Sequence, residues 1–272
     1  MDDRALQKKA DEIRWEALHM IYEGNDGHPG PSLSAADILT ALYFDIMRTD
    51  PARPDWSDRD RLILSKGHAC PALYAALKAR GYVAQQTRPL RALGSVFQGH
   101  PVMGKTPGVD FTSGSLGNGI AIGCGMALAG RLQGKRYGVY VVVGDGELQE
   151  GVIWEGVHLA AAQGLSRLTV FVDANGWQSG GAVEALMGAN DPAAQFAACR
   201  WHVQEIDGHD MHQIKQAAAA AADETGRPSV IVCHTIKGKG VPFMENDNAW
   251  HKGVPNKEQL DAAKQALGGN GR

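Results

Sequence analysis

Residues 140–178 decide the fold, and they begin with Tyr-Val-Val-Val-Gly-Asp-Gly-Glu-Leu-Gln-Glu-Gly at 140–151. A helix-like stretch follows, and then Leu-Thr-Val-Phe-Val-Asp-Ala-Asn-Gly-Trp-Gln at 168–178. The runs at 140–143 and 168–172 are apolar and rich in β-branched residues, which is typical of parallel strands covered on both faces. Two such strands joined by a helix form a βαβ unit. We therefore predict an α/β fold with a mostly parallel central sheet and helices on both faces.

This unit places two oxygen-bearing side chains, Asp145 and Asn175, just past the ends of its strands. The carboxyl ends of parallel strands share one edge of the sheet, which is where open α/β sheets bind ligands. A carboxylate and an amide oxygen suit Mg²⁺, which usually completes its coordination with water and phosphate oxygens. Gly144 and Gly146 have no side chains, so their backbone N–H groups can approach a phosphate closely. The pattern predicts a diphosphate held through a metal.

Length and composition agree with one large α/β domain, and we predict a single domain over residues 1–272. The net charge is −3 and charges are not clustered, so neither nucleic acid nor an anionic membrane surface is an expected partner. The start, Met-Asp-Asp-Arg, lacks the features of a signal peptide, and no apolar run approaches membrane-spanning length. We expect a cytoplasmic protein. Its scattered cysteines predict buried free thiols at Cys70, Cys124, Cys199 and Cys233.

The rest of the pattern predicts further helices and strands around this unit. Ser34 followed by Asp37 resembles a capping box that opens a helix. The Gly- and Pro-rich stretch 85–110 predicts an irregular connection. Further helices are predicted at 4–22, 71–81, 120–129, 190–199, 210–222 and 256–267, and further strands at 61–65, 201–205 and 229–234.

Histidines stand at turns that follow strands or precede helices. His28 and His100 each lie in a Gly-His-Pro turn, and His68 follows the short strand 61–65. The turn Thr-Ser-Gly-Ser-Leu-Gly-Asn-Gly at 112–119 opens an apolar helix, and such a helix N-terminus favours anions. The position of His68 after a strand places it at the edge of the sheet that binds ligands. A single histidine in a turn is more often a structural hydrogen-bond partner, so each of these positions taken alone favours that interpretation.

Six segments together resemble the amino-terminal, thiamine diphosphate-binding domain of transketolase. They are Gly-His-Pro-Gly-x-Ser-Leu-Ser-x-Ala-Asp at 27–37, Ser-Lys-Gly-His-Ala at 65–69, Gly-His-Pro at 99–101, Thr-Ser-Gly-Ser-Leu-Gly-Asn-Gly at 112–119, Gly-Asp-Gly-x-x-Gln-Glu-Gly at 144–151 and Trp-His at 250–251. The resemblance spans nearly the whole chain. The chain resembles the shorter subunit of a split transketolase, whose pyrimidine-binding and carboxyl-terminal domains belong to a separate polypeptide.

The resemblance implies a cofactor, thiamine diphosphate, and a metal, Mg²⁺, for which Ca²⁺ or Mn²⁺ can substitute. The metal would be bound by Asp145, Asn175 and the main-chain oxygen of Trp177. Further implied cofactor contacts are His68, Gly114, Ser115, Leu116, Gly144, Gly146, Glu155 and His251. Implied catalytic residues are His28, His68, His100, His251 and Glu150, with His28 and His100 on the sugar, and Glu150 in the carboxylate network at the interface that carries the cofactor.

The implied reaction moves a two-carbon ketol unit from a ketose to an aldose, in sugar or sugar-phosphate metabolism of the pentose phosphate type. In this family the Glu that contacts the aminopyrimidine lies on the pyrimidine-binding domain. We therefore expect the chain to be inactive alone and to work with a carboxyl-terminal transketolase subunit, as an α2β2 heterotetramer.

Two departures and two alternatives accompany this interpretation. Pro31 stands where the family more often has Gly, and the order Trp-His-Lys-Gly-Val-Pro after residue 249 rearranges the usual His-Gly-x-x-Pro. One alternative is a component of another thiamine diphosphate enzyme, similar to deoxyxylulose-phosphate synthase or 2-oxoacid dehydrogenase, although the two Gly-His-Pro turns argue against both. The other is a non-catalytic Mg-diphosphate-binding regulatory module.

Two further patterns receive ordinary interpretations. Lys-Gly-Lys-Gly at 237–240 lacks the helix and the Ser or Thr of a Walker motif, so it predicts no nucleotide loop. His209 and His212 lie three residues apart at a helix start, and we expect them to be exposed residues near the cap.

Overall fold

The computed structural model describes residues 1–84, 88–188 and 190–268. Its strands form a parallel sheet and a small hairpin. In chain order they are β1 (Arg61–Leu64), β2 (Val139–Gly144), β3 (Leu168–Ala174), β4 (Trp177–Gln178), β5 (Gly181–Ala182), β6 (His202–Asp207) and β7 (Ser229–His234). Within the described ranges the main sheet has five strands in the order β1-β2-β3-β7-β6, all neighbours parallel. Strands β4 and β5 pair antiparallel outside it.

Helices connect these strands and cover both faces of the sheet. They are α1 (Asp3–Gly24), α2 (Pro29–Ser34), α3 (Ala36–Ala41), α4 (Cys70–Arg80), α5 (Asn118–Leu132), α6 (Gly151–Ala162), α7 (Val183–Met187), α8 (Pro192–Ala198), α9 (Met211–Asp223) and α10 (Lys257–Ala266). No helix in the described part of the chain is long and apolar enough to cross a membrane.

Successive residues of a strand pack alternately into two hydrophobic cores, one on each face of the sheet. In β2, Val142 packs into a core with residues of α1, α3, α4 and α9. Its neighbours Val141 and Val143 pack on the opposite side with residues of α5, α6 and α8. Successive strand residues point to opposite faces, so one continuous apolar run serves both cores. The predicted fold class is confirmed.

Local capping explains several helix boundaries. Asp210 caps α9 by accepting from the backbone N–H groups of His212 and Gln213, as expected from its position. Asn256 and Gln259 form a capping box at the start of α10. The stretch 88–110 contains neither helix nor strand, as predicted, whereas positions 85–87 of the predicted connection lie outside the described residues.

The prediction of a capping box at Ser34 was wrong. Ser34 is the last residue of α2, and Ala35 without a side-chain cap precedes α3. The Ser34 hydroxyl instead donates to Asp173, 2.6 Å away across the fold. The cysteine prediction holds for three of the four thiols, since Cys199 is only partly buried.

The carboxyl ends of β1, β2, β3 and β7 lie side by side because the strands are parallel and adjacent. The segments after them begin at Ser65, Asp145, Asn175 and Thr235. One edge of the sheet therefore gathers residues that are far apart in the sequence.

Candidate active site

A cavity of about 450 Å³ opens at this edge of the sheet. It brings together twelve of the predicted site residues: His28, His68, His100, Gly114, Leu116, Gly144, Asp145, Gly146, Glu150, Asn175, Trp177 and His251. Ser115 and Glu155 do not line it, and both are exposed. Glu150 lies exposed at the cavity wall, where it precedes α6 without a side-chain cap hydrogen bond.

Asp145 is held by backbone groups of two turns. Its Oδ1 accepts from the N–H of Gly146 at 2.8 Å, and its Oδ2 accepts from the N–H of Gly176 at 2.6 Å. The side chain is only 4% exposed. Burial, together with the charge of Asp173, raises the pKa of Asp145 to about 6. A Cβ on Gly146 would lie 2.7 Å from the Cβ of Gln178, so this turn has no room for a side chain.

Asn175 is oriented by three contacts. Its Oδ1 accepts from the N–H of Trp177 at 3.1 Å. Its Nδ2 donates, over 3.4 Å in each case, to the hydroxyl of Ser34 and to Oδ2 of Asp173. The amide oxygen retains a second lone pair after these contacts are made.

These residues fit a hard divalent cation. A carboxylate buried to this degree is costly as a bare charge, and a cation would remove that cost. Each oxygen of Asp145 has used one of its two acceptor sites, so lone pairs remain. Among the described residues no group of three or more His, Cys, Asp or Glu side chains could hold a metal by itself. A cation held by Asp145 and Asn175 therefore needs oxygens from a bound diphosphate and from water.

The same cavity is lined by a cluster of imidazoles. The ring centroids of His28 and His68 are 5.2 Å apart, and His251 lies 5.6 Å from the first and 5.4 Å from the second. Nδ1 of His251 is 3.1 Å from Nζ of Lys237. His100 lines the same cavity from its separate loop. The rearranged sequence around residue 251 still delivers its histidine to the cluster.

Burial keeps these imidazoles neutral near pH 7. Burial, with Lys252 and His100 nearby, lowers the pKa of His28 to about 4. Burial, with Lys237 and His28 nearby, lowers the pKa of His251 to about 4. The pKa values of His68 and His100 are also lowered by burial and by neighbouring positive charge. A neutral imidazole can donate from one nitrogen and accept at the other.

Two lysines of the cavity were missed as site residues by the sequence analysis. Lys66 is 2% exposed and its ammonium pairs with Asp173, which is fully buried. Lys237 is 1% exposed and donates to Oδ1 of Asn248 at 2.6 Å. Burial and the charge of Lys66 lower the pKa of Lys237 to about 8. Both lysines line the cavity. Lys66 lies within the Ser-Lys-Gly-His-Ala segment and Lys237 within Lys-Gly-Lys-Gly, but neither was predicted as a site residue, because lysine side chains are usually exposed.

Glu147 was also missed, although it joins two glycine turns. Its Oε1 accepts from the N–H of Gly117 at 2.7 Å and from the Ser65 hydroxyl, and its Oε2 accepts from the N–H of Gly144 at 3.1 Å. Burial raises its pKa despite these bonds. Its place as the third residue after Gly144 is the signal that could have found it, since carboxylates at helix starts often bind nearby N–H groups.

His209 was expected to be exposed, and that prediction was wrong. Its side chain is only 10% exposed and its Nδ1 lies 2.6 Å from Oδ2 of Asp37. Its Nε2 accepts from the N–H of Ile236 at 2.8 Å, so the proton is on Nδ1. His209 thus fixes the segment after β7 that carries Lys237. His212 is exposed as expected.

The fold and cavity together define a class: an α/β protein that binds an anionic cofactor at the carboxyl edge of a parallel sheet. The family comparison makes this specific. Residues 5–272 match the family model described as transketolase, thiamine diphosphate binding domain. The chain belongs to this family, as the sequence motifs predicted, and its homologues include transketolases.

Individual relatives are also named as transketolases or transketolase subunits. The chain is 36% identical over 264 residues to a subunit of the apulose-4-phosphate transketolase of Phocaeicola vulgatus, covering 97% of this chain and 94% of that protein. It is 41% identical over 263 residues to the 6-deoxy-6-sulfo-D-fructose transketolase subunit SqwG of Clostridium sp., covering 96% of each. The solved transketolase from Leishmania mexicana superposes with a TM-score of 0.90 at 32% identity, covering 97% of this chain and 41% of that one. The chain thus spans about two fifths of the length of that solved transketolase.

Proposed function

We propose that this chain is one subunit of a thiamine diphosphate- and Mg²⁺-dependent transketolase, which moves a two-carbon ketol unit from a ketose donor to an aldose acceptor. One observation carries the proposal: a single cavity joins the metal-type oxygens of Asp145 and Asn175 to His28, His68, His100 and His251. A diphosphate-binding module without catalysis has no evident use for four neutral imidazoles facing its ligand.

The oxygens and glycine turns form the cofactor-binding side. Asp145, Asn175 and the main-chain oxygen of Trp177 would hold Mg²⁺, and the backbone N–H groups of Gly144 and Gly146 would lie at the diphosphate. The loop at 114–116, with Gly114, Ser115 and Leu116, would also contact the cofactor. When bound, thiamine diphosphate supplies a carbon nucleophile and an electron sink.

The imidazoles would position the sugar and transfer protons. His28 and His100 would hydrogen-bond the hydroxyls and carbonyl oxygen of the substrate, and His68 and His251 would reach the diphosphate or the reacting centre. Because the pKa values of His28 and His251 are about 4, both rings are neutral at pH 7 and can accept a proton. Lys237, within hydrogen-bond distance of His251, would keep that ring neutral and add positive charge near the diphosphate.

We also propose a second chain that carries the pyrimidine-binding and carboxyl-terminal domains, in an α2β2 assembly. Two similar proteins are named as transketolase subunits and match this chain over nearly their whole length. The solved transketolase of Leishmania mexicana is more than twice as long. Glu150 is exposed at the cavity wall and Glu155 is exposed on α6, and in the proposed assembly a partner would cover them. Residues 1–272 would then act as one domain, of which 269–272 lie outside the described residues. The cytoplasmic location stays a prediction from the sequence.

The ketose specificity is proposed from the names of two similar proteins. One similar protein is named for apulose 4-phosphate and another for 6-deoxy-6-sulfo-D-fructose, so close relatives act on different ketoses. We propose that terminal-group recognition lies mainly in the partner chain, and that donors include phosphorylated and other anionic ketoses of the pentose phosphate type.

The test is to co-purify this chain with a partner encoded by a neighbouring reading frame and to assay ketol transfer from a panel of ketoses with Mg²⁺ and thiamine diphosphate. We expect transfer by the assembled chains and none by this chain alone. Transfer at a normal rate by this chain alone would contradict the split-subunit proposal. An assembled enzyme that binds cofactor but transfers no unit from any ketose would contradict the transketolase assignment.

A further inference from the structure

A buried polar network centred on Asp173 contacts the proposed metal ligand Asn175. Asp173 is the sixth of the seven residues of β3 and is fully buried. Its Oδ2 accepts from the Lys66 ammonium and from the Ser34 hydroxyl, and its Oδ1 accepts from the Thr235 hydroxyl. These donors come from the segments after β1 and β7 and from α2. Asp173 thus connects three segments that border the cavity.

The same carboxylate oxygen also faces Asn175. Nδ2 of Asn175 lies 3.4 Å from Oδ2 of Asp173 and 3.4 Å from the Ser34 hydroxyl. Ser34 uses its proton on Asp173, so its oxygen is left to accept from Asn175. On the other side of the amide, Oδ1 of Asn175 accepts from the N–H of Trp177.

All three contacts favour one orientation of the Asn175 amide. A flipped amide would bring its oxygen against the carboxylate of Asp173 and its NH₂ group against the N–H of Trp177. Both pairs would repel, and buried donors would lose their acceptors at a cost of about 1–3 kcal/mol each. Without such neighbours the amide could present either its acceptor oxygen or its donor NH₂ group to the cavity before a cation binds.

We propose that Asp173 is a positioning residue for the metal: it orients the Asn175 amide so that its oxygen, not its nitrogen, is offered to the cation. The role depends on the acceptor oxygen of Asp173. The negative charge of Asp173 pairs with the Lys66 ammonium, which would otherwise be buried without a counter-ion. The inference rests on the proposed function, since it presumes that Asn175 binds the cation with thiamine diphosphate.

The experiment separates acceptor from charge by working in a Lys66→Met background. Removing Asp173 alone would leave a buried ammonium unpaired, which costs about 3–5 kcal/mol and endangers folding. In the Lys66→Met background, Asp173→Leu removes the acceptor, whereas Asp173→Asn keeps an amide oxygen that can accept from Asn175. Thr235→Val in the otherwise unchanged chain is the matched control, because it removes one hydrogen bond of Asp173 on the side away from Asn175.

The readout is the affinity for Mn²⁺, measured from the electron paramagnetic resonance signal of free Mn²⁺ with thiamine diphosphate and the partner chain present. Loss of an outer partner of a metal ligand typically weakens metal binding by about 10–100-fold. We expect Asp173→Leu to bind Mn²⁺ about tenfold or more weakly than its Lys66→Met parent. Asp173→Asn should stay within a few-fold of that parent, and Thr235→Val close to the unchanged chain.

Equal Mn²⁺ affinity in the Leu variant and its parent would overturn the inference and leave the proposed function intact. A loss in the Asn variant as large as in the Leu variant would overturn it as well, because charge and not the acceptor would then matter. If the Lys66→Met parent fails to fold or to bind, Asp173→Leu and Asp173→Asn are compared in the unchanged chain, where both leave Lys66 equally without a counter-charge. Weaker Mn²⁺ binding by the Leu variant than by the Asn variant supports the inference, and equal binding overturns it. If the unchanged chain with its partner binds no Mn²⁺ in the presence of thiamine diphosphate, the proposed function itself fails.

Discussion

The cavity has two halves that are built differently. The oxygen half, Asp145 and Asn175, comes from one βαβ unit and is held by backbone N–H groups and by the buried Asp173 network. The imidazole half, His28, His68, His100 and His251, comes from four separate segments. In the described part of the chain the rings of His28, His68 and His100 make no side-chain hydrogen bond, and only His251 has one such neighbour, Lys237.

The difference indicates that the two halves have separate roles: the oxygen half binds the metal, and the imidazole half contacts the substrate. A metal site must be rigid before the cation arrives, and its ligands are accordingly fixed by bonds within the protein. The imidazoles keep free nitrogen atoms in a partly buried cluster, so their hydrogen bonds are available to a substrate. The two halves should therefore fail differently when mutated, and four predictions test this.

The largest effect is expected in the oxygen half. Asp145→Ala should lower the affinity for Mg²⁺ with thiamine diphosphate by more than about 100-fold, since losing a direct ligand should cost at least as much as losing an outer partner. Titration of cofactor binding by the assembled enzyme measures this. Asp55→Ala, at an exposed carboxylate outside the cavity, is the control and should bind normally. Retained affinity in Asp145→Ala would show that the metal is held elsewhere.

In the imidazole half, a residue assigned to the sugar should support turnover without holding the cofactor. His100→Ala should reduce kcat/KM for a ketose by about 10²–10⁴-fold, the usual contribution of a positioned acid–base group. Cofactor affinity, measured by the same titration, should be unchanged. His212→Ala, at the exposed histidine of α9, should alter neither quantity. If His100→Ala lowered only the affinity for the cofactor, the proposed difference in role between the two halves would be wrong.

A smaller effect should appear in stability. Glu147→Gln leaves only one acceptor oxygen for the three donors on Glu147, and its NH₂ group would face the N–H of Gly144. A buried donor without an acceptor costs about 1–3 kcal/mol, so the free energy of unfolding in urea should fall by that amount. Glu184→Gln, at an exposed carboxylate, serves as the control and should be neutral within about 0.5 kcal/mol. Unchanged stability in Glu147→Gln would mean that the glycine turns do not need this carboxylate.

The smallest effect is a pKa shift within the imidazole half. Lys237 is a positive charge beside His251 and opposes protonation of its ring, so Lys237→Gln should raise the pKa of His251 above about 4. NMR titration of the histidine ring protons measures this. Lys252→Gln should instead raise the pKa of His28, since Lys252 acts on that ring. If both substitutions moved both rings equally, the two lysines would not act locally.

The oxygen half could largely be predicted from the sequence, because its residues belong to one contiguous βαβ unit. Asp145 and Asn175 each follow a strand that is unmistakably apolar, and the parallel topology of a βαβ unit places both at one edge. The histidines were found through ordered motifs, and even His251, in a rearranged segment, joins its partners. Ser115 and Glu155 lie outside the cavity wall, and their predicted cofactor contacts stay predictions.

What was missed involves charges whose partners are distant in the chain. Lys66 and Asp173 are 107 residues apart, and Ser34 and Asp173 are 139 apart. Each of these residues alone suggests an exposed side chain or a helix cap. Their burial becomes favourable only when they meet, because a buried charge needs a counter-charge and hydrogen bonds.

By itself, the sequence determined the sheet, its edge and the residue types placed there, since apolar periodicity and glycine turns act over short distances. Only the tertiary structure decided which charges are buried together, how the Asn175 amide is turned and why the imidazoles are neutral. Those properties depend on desolvation and on long-range pairing, which a linear pattern does not record.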